Sequence, residues 1–354
     1  MNLNLFDREV LVGRGTRTAR TGNNLPMLRT SERGSLKFCE FAWDLGFNKK
    51  LRSLTTAPAL RFGSLVHAAL ADWYIPGTKR GRHPAKAFKK HYDADMKRNQ
   101  EIFGMRLDEE ERWVNAEELG IAMLTHYVDV YGQDSEWEVL VTEHPFEVVV
   151  PHPETGKPWF MYVGILDGVW RHRRKRELWI PDHKTTAGIH KKLSYLQMDD
   201  QAGAYWSFGL EYLVQNGILN THKELNGMLY NFLRKALPDE RPSKLIKGAR
   251  VYLNKDGSPS KVQPAPYFMR QPIFRDAHDR REAVRRAMLD YRRIEMLRSG
   301  ELEIGKSPSQ FSCPTCAYAD ICELHETGHD YESFTSQTTQ EWDPYGEHEV
   351  KDGR

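Results

Sequence analysis

Cysteine is scarce: the 354-residue chain holds four, at Cys39, Cys313, Cys316 and Cys322. That is too few for a disulfide-framework protein and suits metal ligation in a reducing compartment. No stretch approaches the ~18 consecutive apolar residues of a membrane span. The opening run MNLNLFDREVLVGRG lacks the charged-then-apolar order of a signal peptide. The expected location is therefore the cytosol, of a bacterium or of a host if the chain is phage-encoded. No phosphate-binding loop of the form G-x-x-x-x-G-K-[ST] occurs, so the chain carries no nucleotide-driven motor. Internal repeats and low-complexity blocks are absent too. What is present, 40% hydrophobic residues over this length, can bury a substantial core.

The net charge of +2 conceals an asymmetry. From Glu323 onward nine acidic residues face only Lys351 and Arg354, so the remainder of the chain carries about +9. Such a balance favours a polyanionic partner. Basic residues cluster at 79–90, at Arg171 to Arg176 and at 280–293.

Along the chain, residues 1–30 read as a loosely held arm. Ser31 to Phe47 reads as a helix, and Gly63-Ser64 as the opening of a second, with Ser64 as N-cap and His67 in the first turn. Residues 76–112 read as an irregular basic insertion, and Asn115 to Tyr131 as a helix. Strand-like runs follow at Val139 to Val150, Trp159 to Trp170 and Glu177 to Lys184. A helix from Tyr195 to Leu213 and a strand at Met228 to Leu233 come next. Residues 237–272 read as an excursion near the substrate, and Arg275 to Leu297 as a long charged helix. Together these give an α/β fold with a central mixed sheet flanked by helices.

Most informative is GILDGVWRHRRKRELWIPDHK, residues 164–184. A hairpin centred near Arg174 and Lys175 pairs Asp167 with Asp182 across antiparallel strands. Carboxylates so placed repel one another and call for a cation. Asp182 and Lys184, two apart, share a face, while His183 points away. Two acidic oxygens and an ammonium around one point suit a divalent metal that activates water against a phosphodiester. The basic link, Arg171, Arg173, Arg174, Lys175 and Arg176, is a candidate DNA contact beside it. Glu143, on the preceding strand, is a further acid near the site.

Upstream stands Gly63-Ser-Leu-Val-His67, and downstream Gln201-Ala-Gly-Ala-Tyr205. With Gly164 to Asp167 and Asp182 to Lys184, these motifs resemble the RecB-like branch of the PD-(D/E)XK nuclease superfamily. The resemblance implies a restriction-endonuclease-like core and a metal-dependent deoxyribonuclease. It casts Asp167, Asp182, the His183 backbone carbonyl and His67 as ligands of Mg²⁺ or Mn²⁺. Lys184 would hold the attacking water, and Gln201 and Tyr205 would orient Lys184 or the scissile phosphate. An imidazole ligand favours Mn²⁺. Lacking a motor, the chain is expected to act as an exonuclease on single-stranded DNA or free duplex ends. A recombination or helicase partner would suit it, in repair, recombination or phage DNA processing.

In the AddB-type and CRISPR-adaptation members of that branch, one cysteine before the core and three after it hold a [4Fe–4S] cluster. Cys39 with Cys313, Cys316 and Cys322 matches that distribution, and a cluster there would staple the N-terminal helix to the C-terminal segment. By ligand chemistry alone zinc fits the C-x₂-C spacing as well. The implied organisation is an arm at 1–30, one nuclease domain at 31–325 and an acidic tail at 326–354. Two other readings stand beside the nuclease: a catalytically silent nucleic-acid-binding protein, and a zinc-stabilised interaction module.

Overall fold

Two long apolar runs joined by a basic link fold into the hairpin that their pattern implies. Trp170 pairs with Trp179 and Arg171 with Leu178, in antiparallel register. The turn is closed by the His172 N–H donating to the Glu177 carbonyl at 2.8 Å, with Arg176 left-handed at φ 63°. The computed structural model describes residues 25–53, 58–103, 107–246 and 249–345.

In chain order the strands are β1 (Met27–Leu28), β2 (Leu51–Ser53), β3 (Trp137–Pro151), β4 (Pro158–His172), β5 (Leu178–Thr186), β6 (Leu225–Arg234), β7 (Ser243–Ile246), β8 (Ala249–Tyr252), β9 (Phe268–Phe274) and β10 (Thr339–Glu341). The principal sheet runs β1-β4-β5-β6-β9, with β3 paired to β4. Its β5–β6 and β1–β4 pairs are parallel and the others antiparallel, so the sheet is mixed. One feature of this order makes the site. β5 is laddered to β4 only at residues 170–171, and β1 takes the same edge at Met161 and Tyr162. Between them the edge of β4 is open, and Asp167 lies in that gap.

Helices cover both faces. On one side α1 (Thr30–Phe38), α2 (Glu40–Trp43), α7 (Asp200–Ala204), α8 (Leu210–Gln215) and α9 (Ala277–Arg298) bury Trp43, Phe208, Leu213, Tyr291 and Ile294 against Phe160, Tyr162, Ile180 and Tyr230 of the sheet. On the other, α3 (Pro58–Trp73), α4 (Pro84–Phe103) and α5 (Leu107–Tyr131) bury Val66, Leu70, Phe88 and Tyr127 against Trp170, Trp179 and Leu229. Short α6 (His190–Leu193) follows β5; α10 (Ala319–Glu326) and α11 (Tyr331–Thr338) pack near the chain's start. None of the described helices is long and apolar enough to cross a membrane.

Several expectations are corrected. The N-terminal helix breaks at Cys39, whose φ −170° and ψ 127° are extended. Ser64 is inside α3, its hydroxyl donating to the Leu60 carbonyl at 3.2 Å, so it caps nothing and His67 lies mid-helix. Residues 84–103 form helix α4, and Ala85, Phe88 and Tyr92 are core; charged residues on its outer face hid that periodicity. The acidic C-terminal segment folds back as far as Tyr345. β10 pairs with β2, and the Tyr345 hydroxyl donates to Glu32 and to the Met27 carbonyl. Within residues 1–30, Met27 and Leu28 are built into the sheet as β1.

Candidate active site

Three strands and two helical elements converge on the open edge of β4. Gly164 begins the approach: a Cβ there would stand 2.5 Å from the Phe146 ring, so glycine leaves that buried ring its place over β4. Three residues on, Asp167 is buried, and its Oδ2 accepts the backbone N–H of His183 at 2.7 Å. A side chain thus bridges β4 to β5 where the backbone ladder has ended. The hairpin register places Asp167 and Asp182 opposite one another, as the sequence implied.

Apolar positions of α3 bury Phe62, Leu65, Val66 and Ala69, which turns His67 toward the sheet. Its Nδ1 stands 3.4 Å from Asp167 Oδ2. Glu143 enters from β3. The pairs Thr142–Gly168 and His144–Leu166 flank it, so it faces Asp167, with its backbone held at φ 42°. Such a left-handed conformation strains a non-glycine residue and is characteristic of functional positions. Ligand atoms of His67, Glu143 and Asp167 all lie within 4.8 Å of one another.

Asp182 is 0% exposed, and neither of its carboxylate oxygens has a hydrogen bond. Lys184 Nζ stands 3.0 Å from Asp182 Oδ2, a charge contact without hydrogen-bond alignment. The ammonium is instead aimed at Gln201, donating to Oε1 at 2.6 Å. Gln201 Nε2 donates to the Tyr205 hydroxyl at 2.8 Å. Asp199, which the sequence reading missed, fixes this end of the relay. It accepts the Gln201 N–H at 2.9 Å as N-cap of α7 and the Tyr230 hydroxyl at 3.0 Å. The Asp-Asp-Gln run entering α7 was the available capping signal.

Without a cation the groups hold one another off their ordinary titration points. Burial opposes the Asp167 carboxylate, yet His67 and the His183 N–H outweigh it and hold the group well below the usual carboxylate range. Burial pushes Asp182 up to about 7, with Lys184 pulling down and Asp167 and Asp199 adding to the rise. For His67 burial again opposes the charged form, but Asp167, Asp182 and Glu143 prevail and carry it to about 9. Glu143 rises to about 7 because of the protein packed around it and the charge of Asp167. Its side chain still reaches solvent. Lys184 is raised: burial lowers it, and Asp182, Asp199 and Asp167 more than offset that. A buried carboxylate without hydrogen bonds costs several kcal/mol unless a counter-charge occupies the space beside it. Asp182, with the Asp167–Glu143–His67 cluster across the gap, is an oxygen-rich donor set of the kind Mg²⁺ and Mn²⁺ take.

His183 is turned to the other face, as strand alternation requires, into a buried polar chain. Asn231 Nδ2 donates to His183 Nδ1 at 2.9 Å and to the Tyr127 hydroxyl at 2.9 Å. Tyr127 and Tyr74 share a hydrogen bond of 2.7 Å, and Arg270 donates to both hydroxyls at 3.0 Å while paired with Asp134. Burial lowers the His183 imidazole to about 3, which keeps it neutral and able to accept from Asn231.

Of the basic link, Arg171 is four residues along β4 from Asp167, ~13 Å at strand spacing, and residues 173–175 form the turn of the hairpin. Arg171 pairs with Glu138 at 3.1 Å, and Arg173 donates to the Ser135 carbonyl at 3.2 Å.

With the open strand edge, its acids and its lysine in place, the comparison with family models is decisive: the PD-(D/E)XK nuclease superfamily model matches residues 31–323. The chain belongs to the PD-(D/E)XK nuclease superfamily. That membership indicates a nuclease hydrolase, a class that uses divalent metals, and the mixed sheet flanked by helices fits the restriction-endonuclease-like fold. No curated protein matches the chain.

The four cysteines lie outside this site. Cys39 is at the α1–α2 break, Cys313 opens a short 3₁₀ turn, Cys316 ends it and Cys322 is in α10. Cys39 and Cys322 pack on Phe41, Leu45 and Ile321. Burial raises the Cys316 thiol, and Cys39, Cys322 and Cys313 add to the rise, so the four are electrostatic neighbours. Among the described residues, no three cysteine sulfurs lie within 4.8 Å of one another.

Proposed function

We propose that this protein is a RecB-like deoxyribonuclease that hydrolyses DNA at single strands or free ends with Mg²⁺ or Mn²⁺. The observation that carries the reading is Asp182, fully buried, with Oδ2 in an ion pair with Lys184 at 3.0 Å and Oδ1 without a partner, opposite the Asp167 cluster. Asp167, Asp182, His67 and the His183 carbonyl, with Glu143 added, would hold the cation. When bound it would polarise the phosphodiester and make water a competent nucleophile near neutral pH.

The chain's own groups account for the rest. Lys184 is held as an ammonium by three carboxylates, so it serves as a fixed cation and donor rather than as a base. It would orient the water and offset charge on the phosphorus as the bond to the leaving oxygen breaks. Gln201 and Tyr205 keep that ammonium in place. Asn231, itself held by Tyr127, fixes the His183 ring from behind.

For Cys39, Cys313, Cys316 and Cys322 we favour a [4Fe–4S] cluster over zinc. The support is their distribution, one cysteine before the core and three after it, and their electrostatic proximity in the fold. The cluster's place would be structural, tying the α1–α2 break to α10. Digestion of end-labelled linear and circular DNA, single- and double-stranded, with Mn²⁺ or Mg²⁺ tests the reading. Cleavage of linear strands with circles spared supports end-dependent hydrolysis, and equal cutting of circles shifts it to an endonuclease. A protein inert on all four substrates with either ion contradicts the reading itself.

A further inference from the structure

The segment between β5 and α7 is anchored at both ends by the site, because Lys184 lies at one end and Gln201, its hydrogen-bond partner, at the other. Two side chains root it in the core, Ile189 and Leu196. The Leu196 carbonyl also accepts Arg275 Nη2 at 2.9 Å and the Tyr230 hydroxyl at 3.4 Å. The same Tyr230 hydroxyl donates to Asp199, which neighbours Lys184. The segment is therefore a braced platform beside the catalytic ammonium.

What it shows to solvent is unusual for a braced loop. Tyr195 is 52% and Met198 65% exposed. Residues 196–198 are a 3₁₀ turn entered from Tyr195, with the Met198 N–H on the Tyr195 carbonyl at 2.9 Å. In that geometry side chains at i and i+3 eclipse, so Tyr195 and Met198 stand on one side of the turn. Lys191 and Lys192 precede them, both exposed. Among the described residues no carboxylate pairs with either lysine. A flat aromatic ring, a polarisable thioether and two unneutralised ammonium groups form a stacking surface flanked by phosphate-binding charge.

We propose that Tyr195 and Met198 stack against an unpaired base of the DNA strand entering the site, while Lys191 and Lys192 take its adjacent phosphates. The partner is single-stranded DNA rather than duplex, because a paired base offers no free face to a ring. This deepens the nuclease reading and rests on it for the identity of the polymer. It also assigns single-strand contact to the loop beside Lys184 rather than to the Arg171–Arg176 turn.

The test is binding without hydrolysis: fluorescence anisotropy of a labelled twelve-residue thymidine oligonucleotide and of a blunt duplex, in EDTA. Tyr195→Ala should weaken the single strand about tenfold or more, the effect of losing one stacked base, and leave the duplex within twofold. Tyr195→Phe should bind like the native chain. Changing Lys191 and Lys192 together to alanine should lessen the slope of log K against log salt by about 1.4, two single-strand phosphate contacts. An oligonucleotide carrying 5-iodo-deoxyuridine should photocrosslink to Tyr195 on irradiation. Unchanged single-strand affinity in Tyr195→Ala, or equal loss on both DNAs, overturns the proposal. If the native chain binds as expected yet never cleaves, the nuclease reading falls and the platform stands.

Discussion

Replacing Asp182 with asparagine should stabilise the metal-free protein, and only at alkaline pH. Burial pushes the Asp182 carboxyl from 3.8 up to about 7 in the folded chain. The folded state therefore retains a proton that the unfolded chain releases, and stability falls as pH rises from about 4 to about 7. Above that window the whole penalty is present, and the rise corresponds to ~4 kcal/mol as a ceiling. Asparagine mimics the protonated form, but it leaves buried amide atoms in search of partners at a cost of ~1–3 kcal/mol. A net gain of ~1–3 kcal/mol remains, a few degrees in Tm for a chain of this size. His67 acts in the same direction in both proteins: its pKa of about 9 gives stability that is full below 6.5 and lost as pH rises toward 9. The difference between native and variant reports the loss of the Asp182 charge together with the lowering of His67 that follows from it. Scanning calorimetry with EDTA at pH 5 and pH 8.5 reads it directly. Asp182→Asn should match the native Tm at pH 5 and exceed it at pH 8.5. Added Mn²⁺ should then raise the native Tm more than the variant's, because a ligand stabilises in proportion to its affinity for the folded state. An unchanged or lower Tm at pH 8.5 would refute the claim that an ionised Asp182 is buried without adequate partners.

Glu143→Gln removes one carboxylate from the His67–Asp167 cluster and should weaken Mn²⁺ binding about tenfold by calorimetric titration while leaving the EDTA-treated fold intact. Tyr127→Phe deletes the hydroxyl that accepts from Asn231 and Arg270 on the far side of the sheet. It should shift the metal midpoint and lower kcat about tenfold with KM for DNA unchanged, since no substrate reaches that face; a loss of stability alone would make the chain merely structural. Anaerobically purified protein should be brown, with absorption bleached by dithionite, and Cys316→Ser should lose the colour and several degrees of Tm together; a colourless native protein with one zinc would replace iron in the account.

The hairpin was legible because its two apolar runs and their basic link leave one simple register, and that register brings Asp167 to Asp182. The relay from Lys184 to Tyr205 was legible for a similar reason: residues four apart share a helical face, and Gln201 and Tyr205 do so even though the helix turns π-helical after Ala204. Residues 84–103 were misread because lysines and arginines dominate that stretch, and the buried Phe88 and Tyr92 are too sparse to show against them. Glu143 could be noticed as a nearby acid but not placed. Its approach to Asp167 depends on a strand irregularity and a left-handed φ that no local pattern announces. The buried chain from His183 to Asp134 joins residues up to 196 positions apart, a distance across which single-sequence patterns carry no signal.

The central claim is that Asp182 and Lys184 act together in metal-dependent hydrolysis of DNA. Its most direct test is single-turnover cleavage of an end-labelled linear single strand by native, Asp182→Asn and Lys184→Ala proteins at saturating Mn²⁺, with bound metal measured in each. The account predicts rapid cleavage by the native chain that EDTA abolishes. Asp182→Asn should lose both metal and cleavage, whereas Lys184→Ala should retain metal and DNA but cleave at least a thousandfold more slowly. Cleavage by Lys184→Ala at the native rate, or by the native chain in EDTA, would contradict it.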